Sequence, residues 1–387
     1  MKLQVVVNKL NRRKSPITDF ANKSNIADVV NRGFEFESVA QIENTLGMWY
    51  QDRDGLWAWG KGLSSGVEAA PQELAETQVE FDSTKMSWGH QQYEIPSIWK
   101  ELNTKGEGIT VAVIDTGIDI HHPDLAPNIH ESSKSFIGDE KDFSDGDGHG
   151  TQMAGIIAAT GSSKAYGVSP GSKLLVVKAS QSGDQDDLKH FIEAIDYVSG
   201  ISEVSVVSIS YGFTCPNFDD DCKSLVTLFG QSIDKCLAAG KIIVAAIGDN
   251  HFPGEIDKDT YPSAFNANLP FSKGVLGVGA FDKQGSLCDF SRWNSHLCFL
   301  SPGDSIWTTT LNSSGGPGEQ TSIATAFTSG CIALILSYMK QSNQISTANC
   351  IDAILSTCDQ MDGVDFNTKN GYGKMNLKNA IAKIKTH

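Results

Sequence analysis

Three side chains that lie far apart in the sequence are of the types that act together in nucleophilic catalysis: Asp115, His149 and Ser322. A serine hydroxyl is a weak nucleophile unless an imidazole takes its proton and a carboxylate orients that imidazole. Ser322 lies in the stretch QTSIATAFTSG, residues 320–330, at the start of a strongly apolar helical run. It is either a helix N-cap or a reactive hydroxyl, because a helix N-terminus also favours negative charge that develops beside it.

The other two residues also lie where an apolar element begins or ends. Asp115 ends the apolar strand ITVAVID and is followed by the glycine turn TGID. The alternative role for Asp115 is to stabilise that turn or cap a helix. His149 lies in SDGDGHGTQMAGIIAAT between two glycines, which leave its ring unobstructed. It is either a proton carrier near neutral pH or a histidine of a surface loop.

Strand-like and helix-like segments alternate through the region that contains these residues. Five runs are apolar enough to be strands buried on both faces: ITVAVID, KLLVVKAS, VSVVSIS, KIIVAAIG and GVLGVGAF. Three segments between them have a helical pattern: GTQMAGIIAAT, DDLKHFIEAIDYVSG and VTLFGQSIDKCLAAG. This order predicts an α/β fold, a doubly wound and mainly parallel sheet with helices on both faces. An active site is expected beside the carboxyl ends of such strands, where Asp115 lies.

Residues 86–385 resemble the subtilisin-family serine proteases. VAVIDTGIDIHHPDL is similar to the aspartate motif of that family, GHGTQMAGIIAA to its histidine motif and TSIATAF to its serine motif. The order Asp, His, Ser is the order of subtilisins, and differs from that of chymotrypsin-like enzymes and of α/β-hydrolases. Secondary matches follow in the family's order: GVSPGSKLLVVKAS, ISYG, YPSAFN, DFSRW, LSPG and GYGKMNL.

The resemblance implies a role for each matching residue. Asp115 would orient His149, which would act as general base and then general acid, while Ser322 attacks the scissile carbonyl and its own N–H binds the oxyanion. Ser210, Tyr211 and Gly212 would pair with an extended substrate peptide by strand addition. Thr260, before YPS, would form the floor of a pocket of modest size. His122, in HHPDL, is expected only to pack a turn.

The chain departs from the family pattern at the oxyanion site. The family has an asparagine after a glycine, in a run like AAGN, where VAAIGDN puts Asp249. An ionised aspartate would oppose the transition state. Three readings stay open: a protonated Asp249 donates, Asn250 reaches in instead, or the enzyme is weak or inactive. Two smaller departures are Gln320 in place of a glycine and Ala326 in place of a proline.

Residues 1–62 have a different pattern, with short strands, glycine breaks and many aromatic residues. They predict a small β-barrel, because several short strands can bury their faces only by curling. The segment resembles a bacterial Src-homology-3-like domain through LNRR, VVNRGFEFESV and MWYQDRDGLWAWG. Its aromatic residues form either the barrel core or a groove for a peptide ligand. Residues 63–85 are small and acidic, as expected of a linker, and residues 86–387 form the peptidase-like domain.

Composition limits the partners. The formal net charge of -15 disfavours nucleic acid. No apolar run is long and clean enough to predict a membrane span, and the N-terminus does not have the pattern of a secretory signal, so we expect a cytoplasmic location. Export by another route is the alternative.

The eight cysteines include no CxxC pair, so no zinc site is predicted. Free buried thiols are expected, except that Cys215 and Cys222 would form a disulfide in an exported protein. No cofactor is predicted. A structural calcium ion bound by the acidic loops GDEKDFSDGDG and NFDDDCK is the alternative, but neither loop has an ordered ligand spacing.

These patterns predict a serine endopeptidase that acts on a protein or peptide substrate, with the N-terminal barrel as a targeting or regulatory module. The alternative is a protease fold that binds peptides but is weakened in catalysis by Asp249. No pro-domain of the family's type precedes residue 86, so the barrel or the linker is expected to take part in control.

Overall fold

The structure is a computed structural model that describes residues 2–5, 9–14, 26–31, 35–38, 40–44, 47–54, 56–59, 63–65, 81–181, 188–214, 220–250, 256–265 and 275–386. The chain divides into two compact units, Met1–Glu80 and Phe81–His387. The predicted boundaries at residues 62 and 86, with a linker between them, stay predictions.

The first unit consists of antiparallel strands in its described part. They are β1 (Lys2–Val5), β2 (Lys9–Arg13), β3 (Ile26–Asn31), β4 (Glu35–Glu37), β5 (Ala40–Asn44), β6 (Gly47–Gln51), β7 (Trp57–Trp59) and β8 (Leu63–Ser65). A five-stranded sheet has the order β3-β2-β7-β6-β5 and a three-stranded sheet the order β4-β1-β8. Trp49 is 1% exposed and packs inside the unit. The barrel and its likeness to a Src-homology-3-like domain stay predictions.

The segment predicted to be a linker is partly ordered. Strand β8 pairs with β1, so residues 63–65 belong to the first unit. At the other end, the ring of Phe81 contacts that of Trp99 with centroids 4.9 Å apart, inside the second unit. Residues 66–80 lie outside the described part.

The second unit contains a seven-stranded sheet. Its strands are β9 (Thr110–Asp115), β10 (Lys134–Ser135), β11 (Lys173–Lys178), β12 (Val204–Ile209), β13 (Ile242–Ala246), β14 (Val275–Phe281) and β15 (Phe299–Pro302). They follow the order β10-β11-β9-β12-β13-β14-β15, and every pair is parallel. The predicted parallel sheet is confirmed, and its strands are the five apolar runs with two short strands added.

Helices cover both faces of this sheet, as its fully apolar strands require. They are α1 (Trp88–Gln92), α2 (Ile95–Leu102), α3 (His149–Ala158), α4 (Leu188–Ser199), α5 (Asp220–Ala238), α6 (Thr321–Gln341), α7 (Thr347–Ser356) and α8 (Leu377–Lys385). Alternate residues of β9 enter opposite cores: Val111 and Val113 pack with α3 and α6, and Ala112 and Ile114 pack with α4 and α5. A hairpin of β16 (Ile306–Thr310) and β17 (Ser314–Gly318) precedes α6.

Unlike the expectation from the sequence, one described helix, α6, is long and apolar enough to cross a bilayer, but 94% of its most apolar window is buried inside the protein. Its apolar surface is therefore explained by the core, which it enters directly from the residues around Ser322.

The cysteines are mostly buried thiols. Five free thiols are buried, namely Cys236, Cys288, Cys298, Cys331 and Cys350, and Cys358 is partly exposed. Cys222 is disulfide-bonded, whereas Cys215, its predicted partner, lies outside the described residues.

Candidate active site

Asp115 and His149 are in direct contact. Asp115 is the last residue of β9 and is 3% exposed, and its Oδ1 lies 2.7 Å from Nδ1 of His149. The same oxygen accepts the N–H of Thr116 at 2.8 Å. Because a carboxylate accepts hydrogen bonds, Nδ1 of His149 carries the proton and Nε2 is left as the basic nitrogen.

Glycines allow this contact. His149 is the first residue of α3, and Gly148 before it has φ +110°. A Cβ at Gly150 would lie 2.2 Å from the carbonyl oxygen of Gly117 and 3.2 Å from Oδ1 of Asp115. A side chain at position 150 would therefore push the start of α3 away from the turn that follows β9.

Asp145 joins the same two elements and was missed by the sequence analysis. Its Oδ1 accepts the hydroxyl of Thr116 at 2.9 Å and the N–H of Gly148 at 2.8 Å. Its Oδ2 accepts the N–H of Thr151 at 2.8 Å and the Thr151 hydroxyl at 2.6 Å. Burial raises the pKa of Asp145, but these hydrogen bonds outweigh burial and lower it. The signal in the sequence was an aspartate four residues before the histidine, with a threonine two residues after the histidine.

The pKa of His149 is raised above its ordinary value. Burial alone would lower it, but the charge and hydrogen bond of Asp115, with the charges of Asp147 and Asp145, outweigh burial. The carboxylates around this ring therefore make it a stronger base than a free imidazole.

Ser322 lies at the start of α6 and faces the substrate-binding residues predicted from the sequence. It is the second residue of the helix and is 6% exposed. Its hydroxyl donates to the carbonyl oxygen of Ser210 at 2.8 Å, and the hydroxyl of Ser210 donates to the carbonyl oxygen of Ser322 at 3.1 Å. The structure thus joins the Ser322 hydroxyl to Ser210, and among the described residues it shows no hydrogen bond between Ser322 and His149.

Asp249, which was predicted for the oxyanion site together with Asn250 and Ser322, contacts the start of α6. Its Oδ1 accepts the N–H of Thr321 at 2.9 Å, next to Ser322. Asn250 donates its N–H to the carbonyl oxygen of Phe290, and its own Oδ1 is buried without a hydrogen bond to any residue that the structure describes. The hydroxyl of Thr321 is likewise buried and unpaired within the described part of the chain. Thr321 was not among the residues predicted from the sequence.

The predicted pocket residues pack closely. Ser210, Tyr211 and Gly212 directly follow β12, and a Cβ at Gly212 would lie 2.1 Å from Cγ2 of Thr260. A Cβ at Gly248 would lie 2.8 Å from Oγ1 of the same threonine. Thr260 therefore fills the space between these two glycines, and Arg292, which the sequence analysis missed, donates to its Oγ1 at 3.1 Å.

His122 packs a turn. Its Nδ1 accepts the N–H of Asp124 at 3.1 Å, so Nε2 donates to the carbonyl oxygen of Ser314 at 2.8 Å. Both ring nitrogens are occupied by backbone groups.

The acidic loop at residues 138–148 uses its carboxylates for local hydrogen bonds. Asp139 accepts the N–H of Lys141 at 3.0 Å, and Asp142 accepts the N–H of Ser144 at 3.2 Å. The part of the chain that the structure describes contains no cluster of three or more histidine, cysteine or acidic residues placed to hold a metal ion. Part of the second acidic loop, residues 217–219, lies outside it.

Comparison with known proteins shows which proteins this chain is similar to. The profile of the Subtilase family matches residues 106–374. The major intracellular serine protease of Bacillus subtilis (strain 168) is 32% identical over 274 residues, which cover 68% of this chain and 79% of that protein. The intracellular serine protease of Paenibacillus polymyxa is 30% identical over 253 residues, 64% of this chain and 72% of that protein.

Solved structures show the same fold. Prenylagaramide maturation protease PagA aligns with a TM-score of 0.60 and 25% identity, over 75% of this chain and 98% of that one. MycP1 without its N-terminal propeptide aligns with a TM-score of 0.63 and 21% identity, over 76% of this chain and 98% of that one. The chain therefore belongs to the subtilase family of serine proteases.

Proposed function

We propose that the protein is a serine endopeptidase that cleaves peptide bonds through Asp115, His149 and Ser322. The observation that carries the proposal is the 2.7 Å contact between His149 Nδ1 and Asp115 Oδ1. This contact orients the imidazole and stabilises the imidazolium that forms when His149 takes a proton.

The chemistry runs in two steps. Ser322 Oγ attacks the scissile carbonyl while its proton passes to His149 Nε2, and His149 then gives that proton to the leaving amine, which leaves an acyl ester on Ser322. Water attacks the ester with His149 again as base, and the acid product leaves as Ser322 recovers its proton. No cofactor is needed for either step.

Donors near Ser322 would stabilise the oxyanion. As the second residue of α6, Ser322 has an N–H without an intrahelical acceptor. The buried hydroxyl of Thr321 is a second available donor. Asp249 would be a third donor only when protonated, with its Oδ1 still accepting from Thr321.

Asp249 is also the basis of the alternative proposal, which is that the protein binds peptides but has lost most of its turnover. A fluorophosphonate probe separates the two, since labelling that is lost in Ser322→Ala requires a working nucleophile. In subtilisin itself, removing the corresponding donor lowers kcat about a hundredfold to a thousandfold, a measured value for that enzyme and not a result for this chain.

Asp249→Asn tests the role of the carboxyl. If protonated Asp249 donates, peptide cleavage by the wild type falls at high pH, and the asparagine variant keeps its activity there. If Asp249 has weakened the enzyme, the variant is faster at every pH. Unlabelled Ser322 in both proteins would favour the peptide-binding alternative.

The substrate would be a protein or peptide bound as an extended strand. Ser210, Tyr211 and Gly212 continue from β12 and offer main-chain groups for pairing, which β-augmentation requires. The tight contact of Thr260 with Gly212 favours a small side chain before the scissile bond.

The N-terminal unit is proposed to be a Src-homology-3-like barrel that targets or regulates the protease, with a peptide as its ligand. Deletion of residues 1–80 should change the cleavage of a protein target more than that of a short peptide. Equal folding and equal cleavage of both substrates in the deletion variant would contradict this role.

We propose a cytoplasmic location, because two relatives are named as intracellular proteases. The disulfide of Cys222 is the observation against it, since disulfides persist in oxidising compartments. Fractionation of cells, with the thiols blocked before lysis, would decide between the cytoplasm and an oxidising compartment.

A further inference from the structure

An open cleft lies beside His149. It has a volume of about 470 Å³ and is lined by Asp147, Gly148, His149, Gln152, Thr310, Leu311 and Gln320. Ser210, Gly212 and Thr260 are not among the described residues that line it. The cleft thus shares His149 with the catalytic group but is separate from the pocket beside Thr260.

The walls of the cleft are fixed in place. The N–H of Gln320 donates to the carbonyl oxygen of Gly303 at 2.9 Å, and its own carbonyl accepts the N–H of Ile323 at 3.2 Å. The carbonyl oxygen of Gln152 accepts the Thr308 hydroxyl at 2.8 Å. A Cβ at Gly148 would lie 3.3 Å from Cγ of Leu311, so that wall packs directly on the backbone before His149.

The two glutamines belong to different elements that meet at this cleft. Gln152 is on the first turn of α3, and its Oε1 lies 3.6 Å from where a Cβ at Gly318 would be, at the end of β17. Gln320 follows two residues later and is two residues before Ser322. Each is partly exposed and offers an amide oxygen to a bound group.

The leaving half of the substrate must lie close to His149. His149 must deliver a proton to the leaving amine, so the chain that follows the scissile bond has to pass this ring. The cleft is bounded by that ring and by the residue just before the helix of Ser322.

The charge of the lining favours one class of side chain. The described lining residues include one exposed carboxylate, Asp147, and no lysine or arginine. The charge of Asp147 already acts on the imidazole of His149. A cationic side chain would be attracted by this carboxylate and would donate to the two amide oxygens, whereas an acidic side chain would be repelled.

We propose that this cleft is a leaving-group subsite in which Asp147, Gln152 and Gln320 select a basic residue, arginine or lysine, directly after the scissile bond. The inference rests on the proposed peptidase function and adds a preference that the catalytic residues alone do not impose.

The test uses peptides that differ only in the residue after the scissile bond: arginine, its uncharged analogue citrulline, and glutamate. We expect kcat/KM for arginine to be about threefold that for citrulline and about tenfold that for glutamate, the size of an exposed ion pair. Added salt should reduce both ratios. Asp147→Asn should bring the ratio of arginine to citrulline to about one, while Asp142→Asn, in the same loop but outside the lining, should leave it unchanged.

A second measurement tests binding in the cleft independently of the acylation step. An acyl-enzyme formed from an ester reacts either with water or with added argininamide. In the second reaction the amine nitrogen attacks the acyl carbon and its proton passes to His149, which gives a proton to the Ser322 oxygen as the ester bond breaks. Argininamide should capture more product than the α-amide of glutamic acid, whose side chain keeps its carboxylate, and Asp147→Asn should reduce the advantage.

The outcomes separate this inference from the proposed function. If the wild-type protein is not labelled by the fluorophosphonate and cleaves none of the peptides, the proposed protease function is contradicted. Normal labelling with equal rates for the three peptides, or faster cleavage before glutamate, overturns the subsite.

Discussion

The hydroxyl of Ser322 donates to the carbonyl oxygen of Ser210, 2.8 Å away, and Ser210 is a residue proposed to pair with the substrate backbone. A substrate N–H that binds this carbonyl would compete with Ser322 for it. The hydroxyl would then be released to bind Nε2 of His149, the partner proposed for it, and to transfer its proton there. Substrate binding and activation of the nucleophile would thereby be coupled through one oxygen atom.

This coupling predicts a large effect of one methyl group on the substrate. N-methylation of the amide just before the scissile bond removes the competing donor, and we expect kcat/KM to fall about tenfold to a hundredfold, the cost of an unmade buried hydrogen bond. N-methylation of an amide several residues further away is the matched control. Equal rates for the two methylated peptides would contradict the coupling.

A second prediction concerns pH. The pKa of His149 is raised, chiefly because the charge and hydrogen bond of Asp115 overcome the opposite effect of burial. The base must be neutral to act, so activity should be lost as the pH falls through this raised pKa, that is, starting above the ordinary value for histidine. The dependence of kcat/KM on pH for a small peptide measures this limb.

Asp115→Asn tests whether the carboxylate of Asp115 raises the pKa of His149. It removes the carboxylate charge, so the acid limb should move to lower pH, while kcat should drop on the order of ten-thousandfold because the imidazole loses its orientation. Asp147→Asn should move the limb in the same direction but by less, with little loss of kcat. If the acid limb of the pH profile is unchanged in both variants, a group other than His149 sets it.

The sequence predicted the parts of this site that depend on local pattern. Asp115 was predicted at the end of a buried strand and His149 between glycines, because strand ends and glycine positions are visible in a short window. The contacts that decide reactivity join distant segments. The bond from Thr321 to Asp249 spans 72 residues and that from Ser322 to Ser210 spans 112, and no local pattern encodes either.

The elements of the fold that were not predicted also depend on contacts between distant segments. Strand β8 has only three residues and lies in a segment of small polar residues, so its pairing with β1, about 60 residues away in the sequence, leaves no local signal. The apolar strands of the second unit carry their own signal, since each is buried on both faces.

A third prediction concerns the pocket beside Thr260. Its Cγ2 occupies the space next to Gly212, so Thr260→Gly should raise kcat/KM for leucine before the scissile bond, relative to alanine, by about tenfold or more. Thr260→Ser removes only Cγ2 and keeps the bond to Arg292, so it should shift the preference in the same direction. Thr260→Val keeps the bulk and loses the hydroxyl, so the preference for alanine should survive. A leucine preference in the valine variant would show that the hydroxyl, and not the volume, sets the limit.

A fourth prediction concerns His90, which is buried beneath the start of α6. Its ring lies against those of Trp99 and Phe327, with centroids 6.5 Å and 6.0 Å away, and Nδ1 lies 2.9 Å from the hydroxyl of Ser87. Burial lowers the pKa of His90 from 6.5 to about 4, because the charged ring would lose its hydration. The unfolded chain therefore takes up this proton before the folded protein does.

The linkage makes His90 a source of acid instability. Its contribution to the free energy of unfolding is fully present above pH 6.5 and is lost as the pH falls toward 4. Between pH 7 and pH 5 the loss amounts to about 2 kcal/mol. The raised pKa of His149 acts in the opposite sense, adding stability at low pH that is lost as the pH rises, so the effect of His90 must be measured as a difference between variants.

His90→Gln keeps a polar partner for Ser87 but does not titrate. Denaturant unfolding at pH 7 and pH 5 should show a smaller drop in the free energy of unfolding for the variant than for the wild type. The same drop in both proteins would assign the acid instability to another buried group.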